Sequence, residues 1–354
     1  MMKSKLALLI GAAALVAGAA NAAEVYNKDG NKLDLYGKVK GAYGWTDGQG
    51  ADGTYARLGF KGETQINEQL AGFGQWEYNL NASQPEGEQG AGKTRLAFVG
   101  LNAGDFGTVS YGRNYGVVYN VEAWTDMLPE FGGDSYTGTD RYMTGRGNAL
   151  ATYETKDLWG NVDGLDWSVQ YQAANDGTER TVHTRNGQGW GTSLTYDIGN
   201  GASVGAAYAN SKRVNDANDV GNDGKHAEVW TVGTKYDANN IYLATMYAET
   251  RGMNTVTLPG TNLFITADKT KNFEAVAQYQ FDFGLRPSVA YVESKGYSEG
   301  DSATLVKYAS VGATYYFNKN FSVDGEYKFN LAKDTYGLGI ATDDQVAVGA
   351  TYQF

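Results

Sequence analysis

The sequence predicts an all-β chain, a sixteen-stranded antiparallel transmembrane β-barrel with short turns at one end and long loops at the other. Three observations carry that expectation. Polarity alternates residue by residue over stretches of about ten residues, the period of a strand with one apolar and one polar face. The connections between stretches alternate between tight and long. Composition excludes the competing classes. There are 48 Gly and 26 Tyr against 4 Pro among 354 residues, the mark of many strands and turns. Mean hydropathy is −0.44, and after residue 20 no apolar run approaches the roughly 20 residues a spanning helix needs. Forty acidic against 29 basic residues give a net charge of −11, which argues against a nucleic-acid partner. With no Cys there is no disulfide framework, thiolate metal site or cysteine nucleophile.

The elements follow in order. Residues 1–22 read as a secretory signal: Lys3 and Lys5, an apolar stretch from Leu6 to Ala17, then Ala20-Asn21-Ala22 as a cleavage site. Its removal takes the charge from −11 to −13 and leaves 23–354 as one barrel domain. The first strand runs from about Leu33 to Tyr43, with Asp34, Tyr36, Lys38 and Lys40 on one face and Leu33, Leu35 and Val39 on the other. After a loop at 44–53, Tyr55 to Thr64 sets Ala56, Leu58 and Phe60 against Arg57, Lys61 and Glu63. Tight turns are expected near Asn67-Glu68, Gly104-Asp105, Gly164, Gly199-Asn200, 238–240, 282–284 and 318–320. Long Gly- and Asp-rich loops are expected at 82–92, 114–146, 175–188, 212–226, 251–271, 296–303 and 332–342. Near the end, Asn272 to Phe281 alternates Phe273, Ala275, Ala277 and Tyr279 with Asn272, Glu274 and Gln278. The last strand puts Val346, Val348, Ala350, Tyr352 and Phe354 on one face.

Closure has a physical cause. In lipid every backbone N–H and C=O must pair within the protein, so an open sheet edge is not tolerated. The first strand is therefore expected to pair with the last. Aromatic residues near strand ends, among them Trp45, Trp76, Tyr78, Tyr315, Phe317, Phe321 and Tyr352, fit girdles at the two membrane interfaces. A charge on the lipid face costs about 2–4 kcal/mol at the midplane, so Lys38 and Arg57 are expected to point into the lumen. Sixteen strands leave that lumen water-filled.

Several segments are more specific than this pattern. Residues 23–39 (AEVYNKDGNKLDLYGKV), 54–67, 93–101, 111–119 (YGRNYGVVY), 125–134 (TDMLPEFGGD), 235–244, 276–288 and 311–320 resemble the enterobacterial general diffusion porins of the OmpF, OmpC and PhoE type. The resemblance runs from Ala23 to Phe354 and is weakest in the long loops. It implies a homotrimer in the outer membrane, each barrel with its own pore narrowed by the inward-folded third loop. It implies that Asp126 and Glu130 sit on that loop inside the pore. Facing them it implies a basic cluster of Lys38, Arg57, Arg95 and Arg146, with Lys93 nearby. Two departures from the family pattern, Gly145 where phosphate-preferring relatives show Lys and Glu154 where the family usually shows Arg, push toward cations, and Arg141 pushes the other way. Glu86 resembles a latch acid that reaches a basic residue such as Arg113 in a neighbouring subunit. The terminal Phe354 resembles the signal read by the barrel-assembly machinery.

These readings imply passive diffusion of small hydrophilic solutes and ions, weakly cation-selective, with no cofactor, metal or reaction. Acids on one wall and bases on the other set up a field that a narrow gap, with few counter-ions, does not screen. A substrate-specific channel would show an aromatic track or a dense basic ladder, and neither is present. A barrel hydrolase would need a nucleophile and an acid near His183 or His226, and nothing in the sequence places them there. The Asp- and Asn-rich stretch 215–224 lacks the ligand spacing and closing Glu of an EF-hand. The external loops suit contact with lipopolysaccharide, and with phage or bacteriocins.

Overall fold

The computed structural model describes residues 23–87, 92–214, 216–221 and 224–354; the expected signal at 1–22 lies outside them. Sixteen strands form the wall. They are β1 Asn31–Thr46, β2 Tyr55–Asn67, β3 Leu70–Asn81, β4 Lys93–Asn102, β5 Thr108–Tyr115, β6 Arg146–Thr155, β7 Leu165–Gln172 and β8 Gly189–Gly199. There follow β9 Ala202–Lys212, β10 His226–Ala238, β11 Ile241–Arg251, β12 Lys269–Tyr279, β13 Leu285–Ser298, β14 Asp301–Tyr316, β15 Phe321–Asn330 and β16 Gln345–Gln353. Each pairs antiparallel with the next, and β1 pairs with β16, Lys38 opposite Gln353 and Thr46 opposite Gln345. At the seam Gly37 and Phe354 exchange backbone hydrogen bonds of 3.1 and 3.0 Å. The sheet closes on itself there, as lipid requires, and the short strand Ala23–Lys28 pairs along Asn31–Leu35.

The burial pattern is inverted relative to a protein that stays in water. Leu33, Val39, Leu58, Phe60, Val99, Val348 and Tyr352 are exposed on the outside. Tyr36, Lys40, Glu77, Glu274 and Glu326 are buried on the inside. Apolar residues facing outward with polar ones facing a lumen is the alternation of a membrane barrel. Trp45, Tyr315, Phe317, Phe321 and Tyr352 are among the exposed rings.

Three connections differ from expectation. The expected loop at 296–303 is a two-residue turn, Glu299-Gly300, with φ of 50° and 93°, and Ser298 pairs with Asp301. Two positive φ values are what a tight hairpin asks for. At the first loop, β1 continues to Thr46 and Gln49–Asp52 folds back on it as a hairpin. Polar text can be strand wherever the strand projects past the lipid. Conversely, β6 and β7 are joined by 156–164, in which Asp157, Leu158, Trp159 and Gly160 all take positive φ, and not by a tight turn at Gly164 alone.

Candidate functional site

The chain leaves β5 at Tyr115 and folds inward before returning at Arg146. A single helical turn, α1 Tyr119–Glu122, lies against the inner wall. Val117, Val121 and Trp124 are 2%, 0% and 7% exposed. Their seat is made by backbone. Gly205 of β9 stands opposite Gly233 of β10. A Cβ at Gly205 would lie 2.7 Å from the Trp124 ring, and one at Gly233 would lie 2.8 Å from Val121 Cγ1. Only glycine lets the loop approach this closely.

Polar tethers spread around the wall hold the rest. Gln170 of β7 accepts from the Val117 N–H at 2.9 Å and donates to Tyr115 O at 3.0 Å. Tyr242 of β11 donates to Trp124 O at 2.7 Å, and Gln278 of β12 to Met127 O at 2.8 Å. Glu274 of β12 accepts from Thr125 Oγ1 at 2.7 Å and the Ser135 N–H at 3.1 Å. Glu122 accepts from Thr137 Oγ1 at 2.8 Å. Burial, with Glu274 close by, pushes the Glu122 carboxyl well above its usual range. Glu326 of β15 accepts from the N–H groups of Glu130 and Phe131 at 2.9 and 3.2 Å. The wall residues in these contacts lie on β7 to β15, and Glu122 with Thr137 joins the loop to itself; no tether named here comes from β2, β3 or β4.

The two loop acids have different settings. Asp126 accepts from the Tyr119 hydroxyl at 2.5 Å, and Tyr119 stacks on Tyr115 at 4.7 Å. Glu130 is clamped to the wall. Its Oε1 lies 3.0 Å from Lys40 Nζ, which is also 3.4 Å from Asp324 Oδ1 and donates to Pro129 O at 3.1 Å. Burial and a hydrogen bond with Asp324 push the Glu130 carboxyl up to about 7, against the pull of Lys40.

The basic residues gather on the wall of β1, β2 and β4. Lys38 Nζ and the Arg57 guanidinium each lie 5.4 Å from the Tyr55 ring centre, within cation–π range. Arg57 and Arg95 share one carboxylate: Glu77 Oε1 is 3.8 Å from Arg57 Nε and 2.5 Å from Arg95 Nε. Tyr36 donates to the other oxygen of Glu77 at 3.2 Å. Arg146 joins from the loop's end, 5.8 Å from the Tyr115 ring. Lys93 is exposed at the start of β4.

Gly145 is fixed by packing, because a Cβ there would lie 2.7 Å from Gly138 O. Glu154 lines a lumen cavity with Asn120, Trp124, Asp166 and Lys235, as its parity requires. Arg113 is held within the chain by Asp140, Asn148 and Thr94 O. Glu86 is exposed in the second loop. The Phe354 ring packs over Gly37, where a Cβ would come within 2.9 Å of it. His183 sits between Thr255 and Thr257, and His226 beside Asn210.

Sequence reasoning missed Glu77, Lys40, Asp324 and Glu326. Parity could have flagged the first two. Glu77 alternates with Trp76 and Tyr78, and Lys40 shares the face of Lys38. No local signal places Asp324 or Glu326 beside Glu130.

Comparison with known proteins adds a separate finding. A family model described as Gram-negative porin matches residues 28–354. Outer membrane porin N of Escherichia coli (strain K12) is 55% identical over 380 aligned residues, with all of both chains covered. Outer membrane protein F of Serratia marcescens is 56% identical over 375, again with all of both covered. The structure of Salmonella typhi OmpF in complex with daunomycin superposes with a TM-score of 0.89 at 52% identity, covering 94% of this chain and 100% of that one.

Proposed function

The chain belongs to the Gram-negative porins of the outer membrane, and from that premise we propose a water-filled, weakly cation-selective channel for passive diffusion of small hydrophilic solutes and ions. One observation carries the reading: a loop bearing Asp126 and Glu130 is fastened across the lumen, while Arg57 and Arg95, on strands that no loop tether named above engages, line the wall together with Lys38. A solute passing between them meets acids on one side and bases on the other. A polar solute can align its dipole and exchange hydration for wall contacts; an apolar one gains nothing. The surplus of acids draws cations to the mouths. Energy input and chemistry have no place in this scheme.

The proposal extends to assembly. Three copies associate, with the exposed Glu86 reaching the Arg113 region of a neighbour. Phe354 at the seam serves as the signal for barrel assembly. The external loops meet lipopolysaccharide, and phage or bacteriocins exploit them. Residues 1–22 are an export signal. Glu154 adds negative charge toward the end of the lumen that carries the short turns.

The test is the reversal potential of the refolded protein in a planar bilayer under a KCl gradient. Stepwise ohmic conductance in threes with a potential favouring K⁺ is the expected result, and Asp126→Asn moves it toward Cl⁻. Anion preference in the parent protein would overturn the selectivity reading. Saturable flux of one solute class would overturn general diffusion.

A pH dependence follows from Glu130. Below about 7 its carboxyl is protonated and neutral; above, it is charged. The K⁺ preference is therefore expected to rise between about pH 6 and about pH 8, where ordinary carboxylates no longer titrate. Glu130→Gln removes that step. A flat profile in the parent protein would contradict it.

A further inference from the structure

We propose that Lys40 is a selectivity-determining residue of this pore: it clamps the tip of the inward loop to the seam wall and cancels the charge of Glu130, leaving Asp126 as the loop acid presented to permeating ions. The inference rests on the channel reading above and adds a residue that reading does not use.

The geometry is a built site. Lys40 is 7% exposed, and long cations are rarely buried to that extent unless paired. Its ammonium reaches three oxygens from two other elements: Glu130 Oε1 at 3.0 Å, Pro129 O at 3.1 Å and Asp324 Oδ1 at 3.4 Å. One of these contacts, to Pro129 O, is a hydrogen bond, and the other two are ion pairs. Two of the three fall on consecutive loop residues, so the amine grips the tip by backbone and side chain together. The space for this comes from β16. Gly349 pairs with Asp324 across one edge and with Ala42 across the other. A Cβ at Gly349 would lie 2.6 Å from Asp324 Oδ2, 2.7 Å from Glu130 Oε1 and 2.7 Å from Lys40 Cε. The missing side chain of Gly349 is where the three groups meet.

The charges facing Glu130 can be named element by element. Lys40 comes from β1, with Tyr55 of β2 beside it. Asp324 and Glu326 come from β15, and Glu326 is occupied by the Glu130 and Phe131 N–H groups. Gly349 of β16 presents nothing. One ammonium thus stands among three carboxylates. Asp126 meets a phenol instead of a cation, so its charge is not cancelled in the same way.

The experiment is the pH profile of the KCl reversal potential for the refolded full chain and five variants, the single Glu130→Gln among them. An opposite charge within about 4–6 Å holds a carboxyl down by about 1–3 units. Lys40→Met is therefore expected to move the midpoint of the step upward by about 1–3 pH units, and Lys40→Arg to leave it in place. Gly349→Ala, which puts a methyl at the meeting point, is expected to move the midpoint upward too, and serves if Lys40→Met fails to fold. The double variant Lys40→Met/Glu130→Gln removes one charge of each sign. It is expected to have no step and to return the alkaline reversal potential to that of the parent. A purely structural role for Lys40 would not produce that return. An unmoved midpoint in Lys40→Met, or a double variant no nearer the parent than either single one, would overturn the proposal. An anion-preferring parent that still shows the step and its displacement would sink the cation reading and leave the role of Lys40 standing.

Discussion

Trp124→Ala is expected to raise single-channel conductance and make the open current noisy. The indole fills the space over Gly205 and Gly233 and is nearly fully buried. Truncating a buried Trp costs about 3–5 kcal/mol, from lost contacts and the cavity left behind. Here that cost falls on docking the loop, because the wall strands keep their own ladder hydrogen bonds. Roughly two to four powers of ten in the docking equilibrium are lost with it. The polar tethers at Gln170, Glu274, Gln278 and Glu326 still fasten the segment on either side, so the stretch around residue 124 loosens while the barrel stays closed. Bilayer recording reads the conductance, and limited proteolysis of residues 117–134 reads the loop. A variant with parental conductance, quiet current and a protected loop would show that the polar tethers alone position the constriction. Filling the same space from the wall, by Gly205→Val, is expected to displace the loop further into the lumen and lower the conductance.

Glu77→Gln is expected to shift the KCl reversal potential toward Cl⁻, although Glu77 belongs to neither of the two charge groups read from the sequence. Its carboxylate binds both Arg57 and Arg95 and takes the Tyr36 hydroxyl. Neutralising it leaves two guanidinium groups close together with only an uncharged amide between them. The wall gains one positive charge at the narrow part of the pore. Stability falls by about 1–3 kcal/mol, the usual cost of leaving a buried polar group without its partner; pore water and mobile anions set it toward the lower end. Arg95→Gln is expected to move the potential the other way, toward K⁺. The pair of variants isolates the carboxylate: parallel shifts would mean that Glu77 acts through wall geometry instead of charge.

Much of the fold was legible because a membrane barrel obeys two constraints that act residue by residue. The period of two put Leu58 and Phe60 outside and Arg57 inside, and the requirement for closure joined the first strand to the last. Inward orientation was legible where the same parity applied, at Lys38, Arg57 and Glu154. The candidate site was not legible where partners lie far apart in sequence. Lys40 and Pro129 are 89 residues apart, and Glu130 and Glu326 are 196 apart. Periodicity says which way a side chain points, but not which distant residue meets it. The stretch 296–303 misled for a related reason: Gly296, Ser298 and Gly300 look like loop residues, yet a hairpin rising past the lipid has no need of an apolar face.

The inward loop also carries information about time. It lies between β5 and β6, in the first half of the barrel, yet its seat and tethers belong mostly to strands made later, from β7 to β15, with a last hold beside the closing seam. Contacts this far apart in sequence form late, because the intervening chain must be ordered before they bring any gain. The barrel therefore matures from a wide bore to a narrow one. A chain halted before β15 has an unfastened loop tip, and protection of residues 126–134 marks the moment at which the wall is complete.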